Sequence, residues 1–127
     1  MRKARTFLVI ADDAERLMLL SATLHRKFPN AVVQTCRDSE AALEVVRTQS
    51  LDAIVAQRSS DLDELPLVES LRASTWVPIL LVSGAHHAAA ATVAGASGFL
   101  RNEEWLLAGS LVAKFLGATA MEDEERK

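Results

Sequence analysis

"VPILLVSG", residues 77–84, decides the fold. It is uncharged and rich in branched side chains, and Pro78 stands at its start, where a missing N–H costs a sheet least. A run without polar alternation belongs to a strand covered on both faces, inside a parallel sheet flanked by helices. The neighbouring segments supply such helices. Upstream, "ELPLVESLRAS" (64–74) reads as a short helix with Pro66 in its first turn. Downstream, "HHAAAATVAGA" (86–96) reads as a short alanine-rich helix that closes near Gly95.

The same alternation extends in both directions. "TFLVIA" (6–11) is a buried strand that ends at Asp12-Asp13. "AVVQTC" (31–36) is less apolar and belongs nearer an edge, and "DAIVAQ" (52–57) and "SGFLR" (97–101) complete five strands. Leu17, Leu20, Leu24 and Phe28 fall at helical spacing between the first two strands, with Pro29-Asn30 as the stop. "RDSEAALEVVRTQ" (37–49) offers Asp38 or Ser39 as N-cap and turns Ala42, Val45 and Val46 to the core. "NEEWLLAGSLVAKFLG" (102–117) reads as one last helix, capped by Asn102, with Glu103 and Glu104 at its positive end and Trp105 in core packing. Five strands alternating with five helices imply right-handed crossovers and an α/β sheet doubly wound with helices on both faces.

Bulk composition narrows the function classes. The 127 residues are about the commonest size for one domain, read here as 1–127 with its core over 6–117 and a frayed charged tail over 118–127. A net charge of −3 argues against a nucleic-acid partner, which needs a basic face. No apolar run reaches the roughly 20 residues that span a bilayer. The single cysteine, Cys36, allows no internal disulfide and suits a reducing cytoplasm; its simplest role is that of a small buried residue.

In parallel sheets of this class, sites form where the first and third strands present their carboxyl ends side by side. Those ends are Asp12-Asp13 and Gln57-Arg58. At this rim the third strand ends on an amide. Three acids follow, Asp61, Asp63 and Glu64. The first two read as solvated loop, and Glu64 opens a helix with no role assigned. His86-His87 has no further His or Cys at zinc spacing, and Ser83 lacks the G-x-S-x-G elbow of a hydrolase.

From about Thr6 to Gly117 the chain resembles the receiver domain of two-component response regulators. Four pieces carry the resemblance in order: "FLVIADD", "LDAIVAQ", "VPILLVSG" and "AGASGFL". It implies a flavodoxin-like (βα)5 fold. Receivers take a phosphoryl group from a histidine kinase onto an aspartate that ends strand three. Two acids after strand one help bind magnesium, a Ser or Thr ends strand four, and a lysine follows strand five. Asp12 and Asp13 match the acidic pair, Ser83 the hydroxyl and Phe99 the aromatic switch position. Gln57 stands in the place of the phosphorylated aspartate, and Asn102 in that of the lysine, with Arg101 beside it as a shifted cation. The loop "RSSDLDELP" is one residue short, and moving that gap puts Ala56 at the acceptor position; neither alignment supplies an aspartate.

The resemblance thus implies an atypical receiver, a pseudo-receiver in bacterial signalling: a cytoplasmic protein-interaction module, not an enzyme, without aspartyl phosphorylation. Two competing readings are a rearranged acceptor at Asp61 or Asp63, and a small-ligand sensor using the same pocket. No cofactor is expected. Weak magnesium binding at Asp12 and Asp13, helped by the Gln57 amide and the Ser59 carbonyl, is one option for the pocket. A guanidinium from Arg58 on either acid is another, and Arg58 in solvent is a third. Expected partners are proteins, a histidine kinase or an output domain, or a second copy through the face of Ala88–Ala91, Phe99 and Leu107. No membrane contact is expected.

Overall fold

The computed structural model describes residues 4–58, 61–84 and 88–117, the side chains of 61–63 excepted. The strands are β1 (Thr6–Ala11), β2 (Val32–Cys36), β3 (Ala53–Gln57), β4 (Ile79–Ser83) and β5 (Gly98–Arg101). The helices are α1 (Ala14–Lys27), α2 (Ser39–Thr48), α3 (Asp61–Ser74), α4 (Ala88–Ala94) and α5 (Ala108–Phe115), with a 3₁₀ helix over Asn102–Leu107 before α5. All pairings are parallel and the strand order is β2-β1-β3-β4-β5. Every residue of β3 and β4 is buried, as unalternating apolar runs require, whereas edge strand β2 leaves Val32 half exposed.

The sheet sorts its side chains by the period of two. Phe7, Val9, Ala53, Val55, Leu80, Val82 and Leu100 enter one core with Leu17, Leu20, Leu24 and Phe28 of the α1 region and Val112 of α5. Leu8, Ile10, Ile54, Ala56, Ile79 and Leu81 enter the other, with Ala42 and Val46 of α2, Leu67, Val68 and Leu71 of α3 and Ala91 of α4. Asp38 caps α2, its Oδ1 accepting from the Ala41 N–H at 2.8 Å. Among the described residues no helix is long and apolar enough to cross a membrane.

Two expectations about helices need correcting. The helix after β3 begins at Asp61, so Pro66 lies inside α3 rather than in its first turn. The last helix is not continuous and Asn102 does not cap it. The position preceding its 3₁₀ turn is Arg101, whose N–H donates to Glu104 Oε1 at 2.9 Å, because the Asn102 amide is committed elsewhere. Beyond the break, α5 packs hard on α1. A Cβ placed on Gly109 would stand 2.0 Å from the Thr23 carbonyl oxygen, so only glycine permits this approach.

Candidate functional site

The register pairs Ala11 with Gln57, and Gln57 with Val82, so the carboxyl ends of β1, β3 and β4 form one rim. Gln57 continues the Ala53–Val55 alternation and is only 5% exposed. A buried amide costs about 1–3 kcal/mol unless it is hydrogen-bonded. Its Nε2 donates to Asn102 Oδ1 at 2.7 Å, which ties the end of β3 to the segment just after β5. Gln57 Oε1 is buried and has no hydrogen-bond partner among the described residues. The positions where the resemblance expects an aspartate and a lysine are thus joined, amide to amide.

Beside them Arg58 folds over the rim. Its Nη1 lies 2.9 Å from Asp12 Oδ1, and the side chain is only 12% exposed. Of the three options for Arg58, the pairing with Asp12 is the one found. Arg37, which no motif singles out, donates through Nη2 and Nε to the Asp12 carbonyl at 2.9 and 3.2 Å. Asp13 faces the next element: it caps α1, its Oδ1 accepting from the Glu15 N–H at 3.0 Å. Asp12, Asp13, Arg16, Gln57, Arg58 and Asn102 line a pocket of about 230 Å³ in which two carboxylates face two guanidinium groups.

Magnesium asks for oxygen ligands in near-octahedral array, with one or two carboxylates available to it. Here Asp12 already holds a guanidinium, Asp13 serves a helix end, and Gln57 brings no charge. Among the described residues no three acids, histidines or cysteines gather around a metal position. As arranged, these residues do not fit the ion.

The other singled-out residues scatter. Arg101 is exposed, lies 3.6 Å from Glu103 and 3.8 Å from Glu104, and does not line the pocket, so it supplies no shifted cation there. Phe99 is half buried and packs on the core beneath α2, α3 and α4. Ala56, the alternative acceptor position, is fully buried in that same core. Ala88, Ala89 and Ala90 are exposed but Ala91 is wholly buried, which shortens the expected patch by one residue. Leu107 is half exposed and lines a mostly apolar groove of about 400 Å³ with Lys27, Leu100, Ser110, Leu111, Ala113 and Lys114. Trp105 is half buried against the α1–α5 core. Cys36 is buried, and desolvation, helped by Asp38, raises its thiol pKa above the usual value. Ser59, His86, His87, the side chains of Asp61 and Asp63, and the tail lie outside the described residues.

Sequence reasoning missed the partner of Ser83. That hydroxyl is completely buried and donates to Glu64 Oε1 at 2.6 Å, and Glu64 is itself 0% exposed. The signal was there: Glu64 stands three, four and seven residues before Leu67, Val68 and Leu71, on the buried stripe of α3. Glu64, in the first turn of α3, thus faces Ser83 and is not among the residues that line the pocket.

No family model matches the chain, and no curated protein matches it. Solved structures do. A two-component response regulator from Clostridium difficile superposes with a TM-score of 0.74 at 22% identity, over 89% of this chain and 96% of that one. The receiver domain of a sensor histidine kinase from Pseudomonas aeruginosa, with a magnesium ion coordinated in its active-site cleft, gives 0.74 at 17% identity over 91% and 100%. A response regulator from Burkholderia pseudomallei, solved with a phosphorylated aspartic acid, calcium and citrate, gives 0.69 at 23% identity over 97% and 75%. The chain has the flavodoxin-like fold of these receiver domains.

Proposed function

We propose that this domain is a receiver-type signalling module that works through protein contact and takes up no phosphoryl group. The single observation that carries the reading is Gln57, seated at the end of β3 with its amide nitrogen 2.7 Å from Asn102 Oδ1. Formation of an acyl phosphate needs a carboxylate in line with the donor phosphorus and cations to neutralise charge developing on oxygen. A carboxamide has no anionic oxygen to attack with, and the neighbouring position offers a second amide instead of a cation. The domain is then not an enzyme, and its information lies in which surfaces it presents.

Those surfaces are apolar and exposed. Ala88–Ala90 and Val93, 88% exposed, lie on α4, and Leu106 and Leu107 stand half exposed on the 3₁₀ helix. They suit a protein partner, a kinase or output domain of the same pathway, or a second copy of the chain. Incubation with a small phosphodonor and magnesium, followed by intact mass measurement, tests the chemistry. We expect no mass gain, and an acid-stable, base-labile adduct would overturn the reading, whether it maps to Asp61, Asp63 or elsewhere.

A further inference from the structure

We propose that the apolar groove beside α5 is a ligand site for a small amphipathic anion, a free fatty-acid carboxylate whose chain lies on leucine and whose head is held by lysine. This is a separate property from the contact function proposed above, and either could hold without the other.

Size and lining come first. The groove holds about 400 Å³, at the small end of the volumes that enclose small molecules, and its surface is mostly apolar. One turn of a helix about 10 Å across already fills roughly that volume, so the groove suits a small ligand better than a partner's helix. Leu100 of β5 and Ala113 of α5 are buried, Leu111 is half buried and Leu107 half exposed, so apolar surface runs from the core out to water. An alkyl chain laid along it removes apolar area from water on both partners.

Charge decides the kind of ligand. The described residues contain two lysines, Lys27 at the end of α1 and Lys114 at the end of α5, and both line this one groove. No aspartate or glutamate lines it, in a chain whose net charge is −3. Arg5, Arg47, Arg58 and Arg101 each pair with a carboxylate; among the described residues neither lysine does. A helix end favours a lysine for its dipole, but the dipole gives no reason for an apolar hollow shared by both. Two uncompensated ammonium groups beside leucine attract an anion with an apolar body and repel an amine of the same shape. Lysine is a compact charge on a flexible stem, so it suits a single carboxylate head without a fixed fork geometry.

The test uses the full chain and two ligands of equal length, decanoate and decylammonium, both kept below micelle formation. Calorimetric titration gives affinity and stoichiometry, and the melting temperature is followed at each concentration. We expect one decanoate per chain, a dissociation constant of about 2 mM or tighter and a rise in melting temperature, with decylammonium at least about tenfold weaker. Lys27→Met and Lys114→Met keep the apolar stem and should each weaken decanoate about two- to fivefold, and the double variant should lose the preference for the anion. Leu107→Asp sets a carboxylate on the groove and should abolish decanoate binding. Should that variant fold poorly, Leu107→Asn at the same half-exposed position should weaken it at least about fivefold. Equal affinity for the two ligands, or decanoate binding that the lysine and Leu107 variants leave unchanged, is mere adsorption and overturns the proposal. So does decanoate binding weaker than about 2 mM. Sedimentation of the parent and of Leu107→Asp adds a last arm: self-association that the substitution abolishes gives the groove to a second copy and also overturns it. The phosphodonor experiment reads the acceptor chemistry and is indifferent to each of these results.

Discussion

Replacing Ser83 by alanine tests how the end of β4 is fixed to α3. The Ser83 hydroxyl and the Glu64 carboxylate are 2.6 Å apart and both residues are 0% exposed. A buried hydrogen bond contributes about 0.5–1.5 kcal/mol net, and leaving a buried polar group without its partner costs about 1–3 kcal/mol. We expect Ser83→Ala to destabilise the fold by about 1–3 kcal/mol. With an unfolding entropy of about 2.1 cal/mol/K per residue, a domain of this length loses about 4 °C per kcal/mol, so its Tm should fall by about 4–12 °C. In urea the midpoint should drop with the slope unchanged. Glu64→Leu replaces the carboxylate by an apolar side chain, and the double variant removes both ends of the interaction. Its cost should be smaller than the summed single costs by more than about 1 kcal/mol. A loss below about 0.5 kcal/mol in Ser83→Ala, with no coupling in the cycle, would refute the reasoning. Glu64 would then be held by its other surroundings.

Two further outcomes follow from the structure. Arg72 of α3 closes the end of α4: its Nε and Nη2 donate to the Gly95 carbonyl at 3.0 and 2.9 Å, and its Nη1 to those of Thr75 and Val77 at 3.0 and 2.9 Å. Arg72→Lys keeps the charge but loses the planar fork, so it should cost about 2 kcal/mol in urea unfolding, and a near-neutral result would show that charge alone suffices. Because burial raises the Cys36 pKa, the folded protein keeps its thiol proton where the unfolded chain begins to lose it. That contribution to stability is present below the unfolded thiol's pKa and is lost as pH rises through the folded one. Alkylation at about pH 8 should accordingly be slow in the native protein and fast in urea; equal rates would contradict the burial argument.

The strands were legible because their signal is local. "TFLVIA" coincides with β1, and "SGFLR" overshoots β5 by one residue. The last helix was not, since nothing in "NEEWLLAGSLVAKFLG" marks a break. The break comes from contacts far along the chain. Asn102 is drawn to Gln57, 45 residues away, and Gly109 is pressed against the Thr23 carbonyl of α1. Helical propensity takes no account of either, and Pro66 misled in the same way: it fits a first turn, but it does not fix where α3 begins.

The site shows where residue-by-residue reading stops. Gln57 could be placed at the end of β3 from the apolar run before it, and the absence of a carboxylate there followed at once. What each polar group bonds to depends on which face of the sheet it continues. Ala53, Val55 and Gln57 alternate toward the core shared with α1 and α5, and the residue met there is Asn102. Ile79, Leu81 and Ser83 alternate toward the core shared with α3, and the residue met there is Glu64. The pleat therefore sends two adjacent polar strand ends in opposite directions, each to a partner supplied by the element on that side. A carboxyl on a buried stripe is tolerated once a hydroxyl ends the neighbouring strand at the right parity. Parity along β4, combined with helical phase along α3, would have paired the two from sequence.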